Sequence, residues 1–149
     1  MPLIGLVKVN KAIDKLVSDQ NDKIKSIYVN GLSAVIAATP VHFKDGGQLR
    51  NNWFLTEGKP SSSTRGGNQR GNASYSSADK MPSWILGKTM YFTNNMPYAS
   101  VVEYGGYPKN PKLGTWTGSA YQKLSQGGYS KQAPAGMVRI NLIKMANKL

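Results

Sequence analysis

Cysteine is absent from this chain, histidine occurs once, and only seven residues are acidic. Without thiols there is neither a disulfide framework nor a thiolate metal site, and a cytoplasmic place of synthesis fits. His42 by itself cannot supply a nucleophile–base pair or a transition-metal site. Beside a turn, it reads as an ordinary surface or partly packed residue. No apolar run approaches the roughly 18 residues that a membrane span requires. The opening "MPLIGLVKVNK" has no basic leader, so no secretory signal is expected either. Glutamate is confined to Glu57 and Glu103, and Glu57 adjoins a loop-like segment that could not hold it in place for two-carboxylate glycoside hydrolysis. No Walker-type phosphate loop is present. No catalytic residue, metal or cofactor is expected, and the chain reads as non-enzymatic.

What the chain has in excess is positive charge. Its 149 residues carry a formal net charge of +12. All the acids lie at or before Glu103, while Lys109, Lys112, Lys123, Lys131, Arg139, Lys144 and Lys148 follow it unopposed. Such a field favours nucleic acid, an acidic protein surface or anionic lipid. The length suits one domain, 1–149.

Over residues 9–38, Ile13, Leu16, Val17, Ile24, Ile27, Tyr28, Leu32, Val35 and Ile36 recur at steps of three, four and seven. That spacing predicts a long amphipathic helix, with Asn10 as N-cap and Pro40 as terminator. A helix of that length spans the domain or packs against a neighbouring subunit. Gly31 inside it marks a place where another chain segment comes close. Residues 49–56 read as a strand after the Asp45-Gly46-Gly47 turn.

Residues 58–82, rich in Gly, Ser, Asn and Arg, offer almost nothing to bury and read as a flexible loop. A second strand is expected over 84–92, with Gly87 as a bulge. One or two helical turns should follow Pro97 up to Gly105. Residues 107–130 form a second loop. A last helix starts near Pro134, with Val138, Leu142, Met145 and Leu149 on one face and Lys144 and Lys148 near its negative end. The expected class is α+β: a long N-terminal helix, a small antiparallel β-sheet, a short middle helix and a C-terminal helix, with long loops.

Three pieces in this order are distinctive: "TPVHFKDGGQLRNNW", "YFTNNMPYASVVEYGG" and "APAGMVRINL". Together they resemble the tail-completion, or neck, proteins of long-tailed bacteriophages, relatives of minor tail proteins. The residues that carry the resemblance are Thr39, Pro40, Val41, Gly47, Leu49, Arg50, Asn95, Pro97, Tyr98, Ala99, Val102, Glu103, Tyr104, Gly105, Pro134 and Arg139. The turn departs from the family's usual Asp-Thr-Gly, reading His42-Phe43-Lys44-Asp45-Gly46-Gly47 here.

The resemblance implies a structural virion protein at the head–tail junction, made in the host cytoplasm and assembled as a homo-oligomeric ring, with six copies in relatives. Its partners would be other connector and tail proteins, with non-specific contact to packaged DNA and no membrane. Tail terminator, neck protein and head-closure adaptor all stay open. The alternative is a basic, non-specific nucleic-acid-binding protein acting outside any particle.

Glu103 then reads as a buried acid that needs a partner. Arg50 and Arg139, in the other two pieces, are the expected partners, Arg50 the nearer fit. Arg65, Arg70, Tyr75 and Lys80 in the first loop, with Trp116 and Tyr121 in the second, are the expected subunit or connector interface.

Overall fold

The computed structural model describes residues 4–41, 47–67, 70–105, 115–116, 121–122 and 133–149. The fold is α+β. It begins with a 35-residue helix α1 (Ile4–Ala38), followed by α2 (Gln48–Asn51), β1 (Trp53–Glu57), α3 (Asn72–Ala78) and β2 (Met90–Asn94). Then come α4 (Ala99–Tyr104), the two-residue strands β3 (Thr115–Trp116) and β4 (Tyr121–Gln122), and α5 (Arg139–Ala146). β1 and β2 form an antiparallel pair running from Trp53 opposite Asn94 to Glu57 opposite Met90, and β3 and β4 form a second pair.

The expected stripe builds the core only in the second half of α1. Leu32, Val35 and Ile36 pack there with Leu49, Trp53, Ala78, Met81, Ile85, Val102 and Met137. Trp53 and Leu55 share the inner face of the hairpin, and the Trp53 ring stacks on Phe92 with centroids 4.8 Å apart. The helix starts before Asn10, so Asn10 lies inside it and does not cap it. Its other end is where Pro40 requires: the Thr39 hydroxyl donates to the Val35 carbonyl at 2.8 Å, and the Trp53 indole N–H donates to the same hydroxyl at 2.9 Å.

Residues 58–82 depart most from expectation. They contain α3, with Ser74, Ser77, Ala78 and Met81 buried. Its serines explain it. β1 pairs with β2 along one edge, and on the other edge the Ser74 hydroxyl accepts the Trp53 N–H at 2.8 Å and the Ser77 hydroxyl accepts the Leu55 N–H at 2.9 Å. A helix turn separates the two serines, which places both on one face. The strand's unpaired donors are thereby satisfied, and its edge is covered.

Both strands are shorter at their starts than expected. Residues 48–51 form a helical turn ahead of β1. Residues 84–88 lie outside the β1–β2 ladder, because the buried Asn21 of α1 takes the Ile85 N–H at 2.8 Å and donates to the Ser83 carbonyl at 2.8 Å. Gly87 therefore sits in a turn with φ +76°, not in a strand bulge.

The middle helix lies where Pro97 and Gly105 bracket it. The last helix begins at Arg139 instead of near Pro134, and its buried side chains are Asn141 and Met145, while Leu142 and Leu149 are exposed. Asn141 fixes this rotation by donating to the carbonyls of Met137 (2.8 Å) and Ala34 (3.4 Å). At Gly31 the Met145 side chain fills the space a Cβ would take, with Sδ 2.1 Å from that position. The second-loop reading of 107–130, like His42, lies outside the described residues apart from β3 and β4.

Candidate functional site

Glu103, on α4, is buried with 7% of its side chain exposed. Its Oε2 accepts the backbone N–H groups of Met137 and Val138, both at 2.7 Å, and its Oε1 accepts the Arg139 N–H at 3.0 Å. The Arg139 side chain adds Nε to Oε1 at 3.1 Å and Nη2 to the Glu103 carbonyl at 2.7 Å, with its guanidinium over the Tyr104 ring. Burial pushes the carboxyl pKa up. The N–H bonds from Val138, Arg139 and Met137 and the guanidinium outweigh it, holding the pKa below its ordinary value.

The carboxylate thus occupies the start of α5, where helical N–H groups lack intrahelical partners. Gly136 lets the two segments meet: its φ is +83°, and a Cβ there would lie 2.6 Å from the Glu103 carbonyl oxygen. Both carboxylate oxygens and the backbone carbonyl of Glu103 are engaged in holding chain segments together. It is a structural joint.

Arg139 is one of the two arginines expected beside Glu103; Arg50 is not there. Arg50 reaches the C-terminus of α1 instead, donating Nε to the Thr39 carbonyl at 2.8 Å and Nη2 to the Ala37 carbonyl at 2.9 Å. It satisfies carbonyls that the helix end leaves open and complements the negative end of the helix. Burial lowers its pKa below the ordinary arginine value, yet a guanidinium keeps its charge. Leu49 and Asn95, two further motif residues, also tie backbone segments together. Leu49 is buried and its carbonyl accepts the Asn94 amide at 2.8 Å, while the Asn95 amide donates to the carbonyls of Ser61 and Ser63, both at 2.8 Å. Pro97, Tyr98 and Tyr104 are exposed around α4.

The expected interface residues do not form one group. Arg65 is clamped: its Nη1 donates to the carbonyls of Asn51 (2.7 Å) and Trp53 (2.9 Å), and its guanidinium lies 3.8 Å from the Phe54 ring centroid. Its backbone is tied as well, the N–H donating to Asn52 Oδ1 at 2.6 Å and the carbonyl accepting the Asn52 amide at 2.9 Å. Tyr75 is half-buried against the core, so the structure gives it a packing role. Arg70 and Lys80 are exposed. A polar concavity of about 370 Å³ beside α3 is lined by Arg65, Asn72, Ala73, Ser76, Ser77 and Lys80. Trp116 and Tyr121 are backbone partners across β3 and β4.

The apolar stripe of α1, which the sequence left open between spanning the domain and packing against a neighbouring subunit, is uncovered in its first half. Residues 5–20 of α1 are all exposed, with Leu6 at 56%, Val9 at 53%, Ile13 at 52% and Leu16 at 60%. Their spacing puts them on one face, with Lys8, Lys11 and Lys15 turned away from it. At about 1.5 Å per residue, this half of the helix extends about 24 Å with its apolar stripe uncovered. On α5, Ile140, Leu142 and Ile143 are exposed as well. The periodicity that announced the helix could have announced this surface, since the domain is too small to cover so long a stripe.

Among the described residues, no group of three or more His, Asp or Glu side chains could hold a metal ion, and no helix is long and apolar enough to cross a membrane. No family model, curated protein or solved structure matches this chain.

Proposed function

We propose that this chain is a non-enzymatic structural protein of a bacteriophage virion, a self-associating subunit of the neck or tail-completion ring that joins the tail to the DNA-filled head. The observation that carries the reading is the uncovered apolar stripe on the first half of α1. This half of the helix gains little from tertiary packing against the other described residues of the subunit, the usual source of helix stability, and contiguous exposed apolar surface is the mark of an interaction site. A second copy of the chain supplies a suitable partner. It offers the same stripe and the exposed Ile140, Leu142 and Ile143 of α5.

The three ordered motif pieces add the family resemblance. Thr39, Arg50, Asn95, Glu103 and Arg139 among them hold chain segments in place, which suits a scaffold more than a reaction centre. A nucleic-acid-binding protein acting outside a particle would account for the charge and leave the stripe without a purpose. The test is genetic. In a phage whose copy of this gene carries Ile13→Asp and Leu16→Asp, filled heads and tails should accumulate unjoined, or tails of irregular length should appear, when lysates are imaged by electron microscopy. Normal yields of infectious particles would overturn the reading.

A further inference from the structure

We propose that the concavity beside α3 binds a backbone phosphate of double-stranded nucleic acid, independently of base sequence. Its lining is built from donors. Arg65 brings five N–H donors, of which the carbonyls of Asn51 and Trp53 take two. Those bonds and the Phe54 ring fix the guanidinium plane before any ligand arrives, which removes much of the ordering cost of binding. Lys80, Asn72 and Ser76 line the same cavity on exposed positions of the α3 segment. The Ser77 oxygen accepts the Leu55 N–H, so its own proton remains to be donated.

Among the described residues no carboxylate lines the cavity, and the chain's charge of +12 draws polyanions toward it. The class of polyanion follows from what else is missing. Among the described residues no aromatic side chain lines the cavity, so they offer no ring to stack an unpaired base, which argues for a duplex over a single strand. Contacts to phosphate alone position a protein without reading sequence. This site does not depend on the assembly reading, since one subunit carries all of it.

The experiment is fluorescence anisotropy of a labelled mixed-sequence duplex with the full chain at several salt concentrations. Lys80→Gln and Ser76→Asp are compared with Lys11→Gln, which removes one charge from the exposed half of α1. All three positions are solvent-exposed, and unchanged melting curves would verify that the variants fold. Lys80→Gln should lower the log–log salt slope by about 1, the share of one phosphate contact. Ser76→Asp, which places a like charge against the phosphate, should weaken binding about tenfold. Lys11→Gln should do neither.

Equal losses in all three variants would mean that overall charge alone binds the duplex, and the site would be refuted. Tighter binding of a single strand would overturn the duplex assignment. Competition with inorganic phosphate at constant ionic strength distinguishes the remaining source. Binding of free phosphate that Ser76→Asp abolishes, with duplex affinity unchanged, would make this a small-anion site and contradict the nucleic-acid proposal. A wild-type chain that self-associates yet binds no duplex would refute this site alone, and one that binds the duplex yet stays monomeric would refute the assembly reading alone.

Discussion

Replacing Glu103 by alanine should cost far more stability than replacing its arginine partner. The carboxylate accepts three backbone N–H groups at 2.7, 2.7 and 3.0 Å. Hydrogen bonds to a charged acceptor contribute about 1.5–3 kcal/mol each, and a sum of independent terms would reach roughly 4.5–9 kcal/mol. Water will replace part of this at Val138 and Arg139, which are not fully enclosed. The expected loss is therefore about 3–5 kcal/mol, as for other buried charges deprived of their setting. Arg139→Ala removes an ion pair whose guanidinium side is 46% exposed, and such pairs contribute about 0–1 kcal/mol. Its remaining bond to the Glu103 carbonyl and its contact with Tyr104 bring the expected loss to about 1–2 kcal/mol. Urea unfolding of both single variants and the double variant would measure this, with a coupling energy near 1 kcal/mol expected. Equal losses in the two single variants, with coupling as large as either, would show that the ion pair is what matters. The joint described above would then be wrong.

Three further outcomes are expected. The Glu103 pKa is held below its ordinary value in the folded chain, so its contribution is complete at neutral pH and is lost as pH falls from about 4.3 toward the folded value; Glu103→Gln should flatten that part of the stability–pH curve. Gly31→Ala places a Cβ 2.1 Å from Met145 Sδ and should destabilise by about 1–3 kcal/mol through overpacking, with Met145→Ala in the same chain removing the clash, both read by thermal melting. Ser74→Ala leaves the buried Trp53 N–H without its acceptor and should cost about 1–3 kcal/mol, whereas the exposed Ser76→Ala should change stability by less than about 0.5 kcal/mol.

The parts of the fold that burial dictates were legible in the sequence. The stripe in α1, the stop at Pro40, the helical turns of "PYASVVEY" and the need of Glu103 for a partner follow from residue type and spacing. The two candidate arginines came from the motif pieces of the resemblance. The parts that depend on which backbone groups lack partners were not. Ser74 and Ser77 have the composition of a loop, and only the open edge of β1 makes them the buried face of a helix. Asn21 and Asn141 set where β2 starts and how α5 is turned, through carbonyls and N–H groups that spacing does not reveal. Arg50 and Arg139 are equivalent as charges. The choice between them rests on the C-terminus of α1, which Arg50 is placed to close. The apolar stripe was read correctly as a helix signal, but covering all of it needs more surface than one domain of this size supplies.

The central claim is that the first half of α1 is an interface between copies of this chain, and sedimentation velocity over a range of concentrations tests it most directly. The wild-type chain should sediment as an oligomer whose population grows with concentration. The Ile13→Asp, Leu16→Asp double variant should sediment as a monomer with an unchanged melting temperature, because both side chains are already more than half exposed in the subunit. A wild-type chain that stays monomeric at every concentration, or a double variant that associates as well as the wild type, would contradict the account.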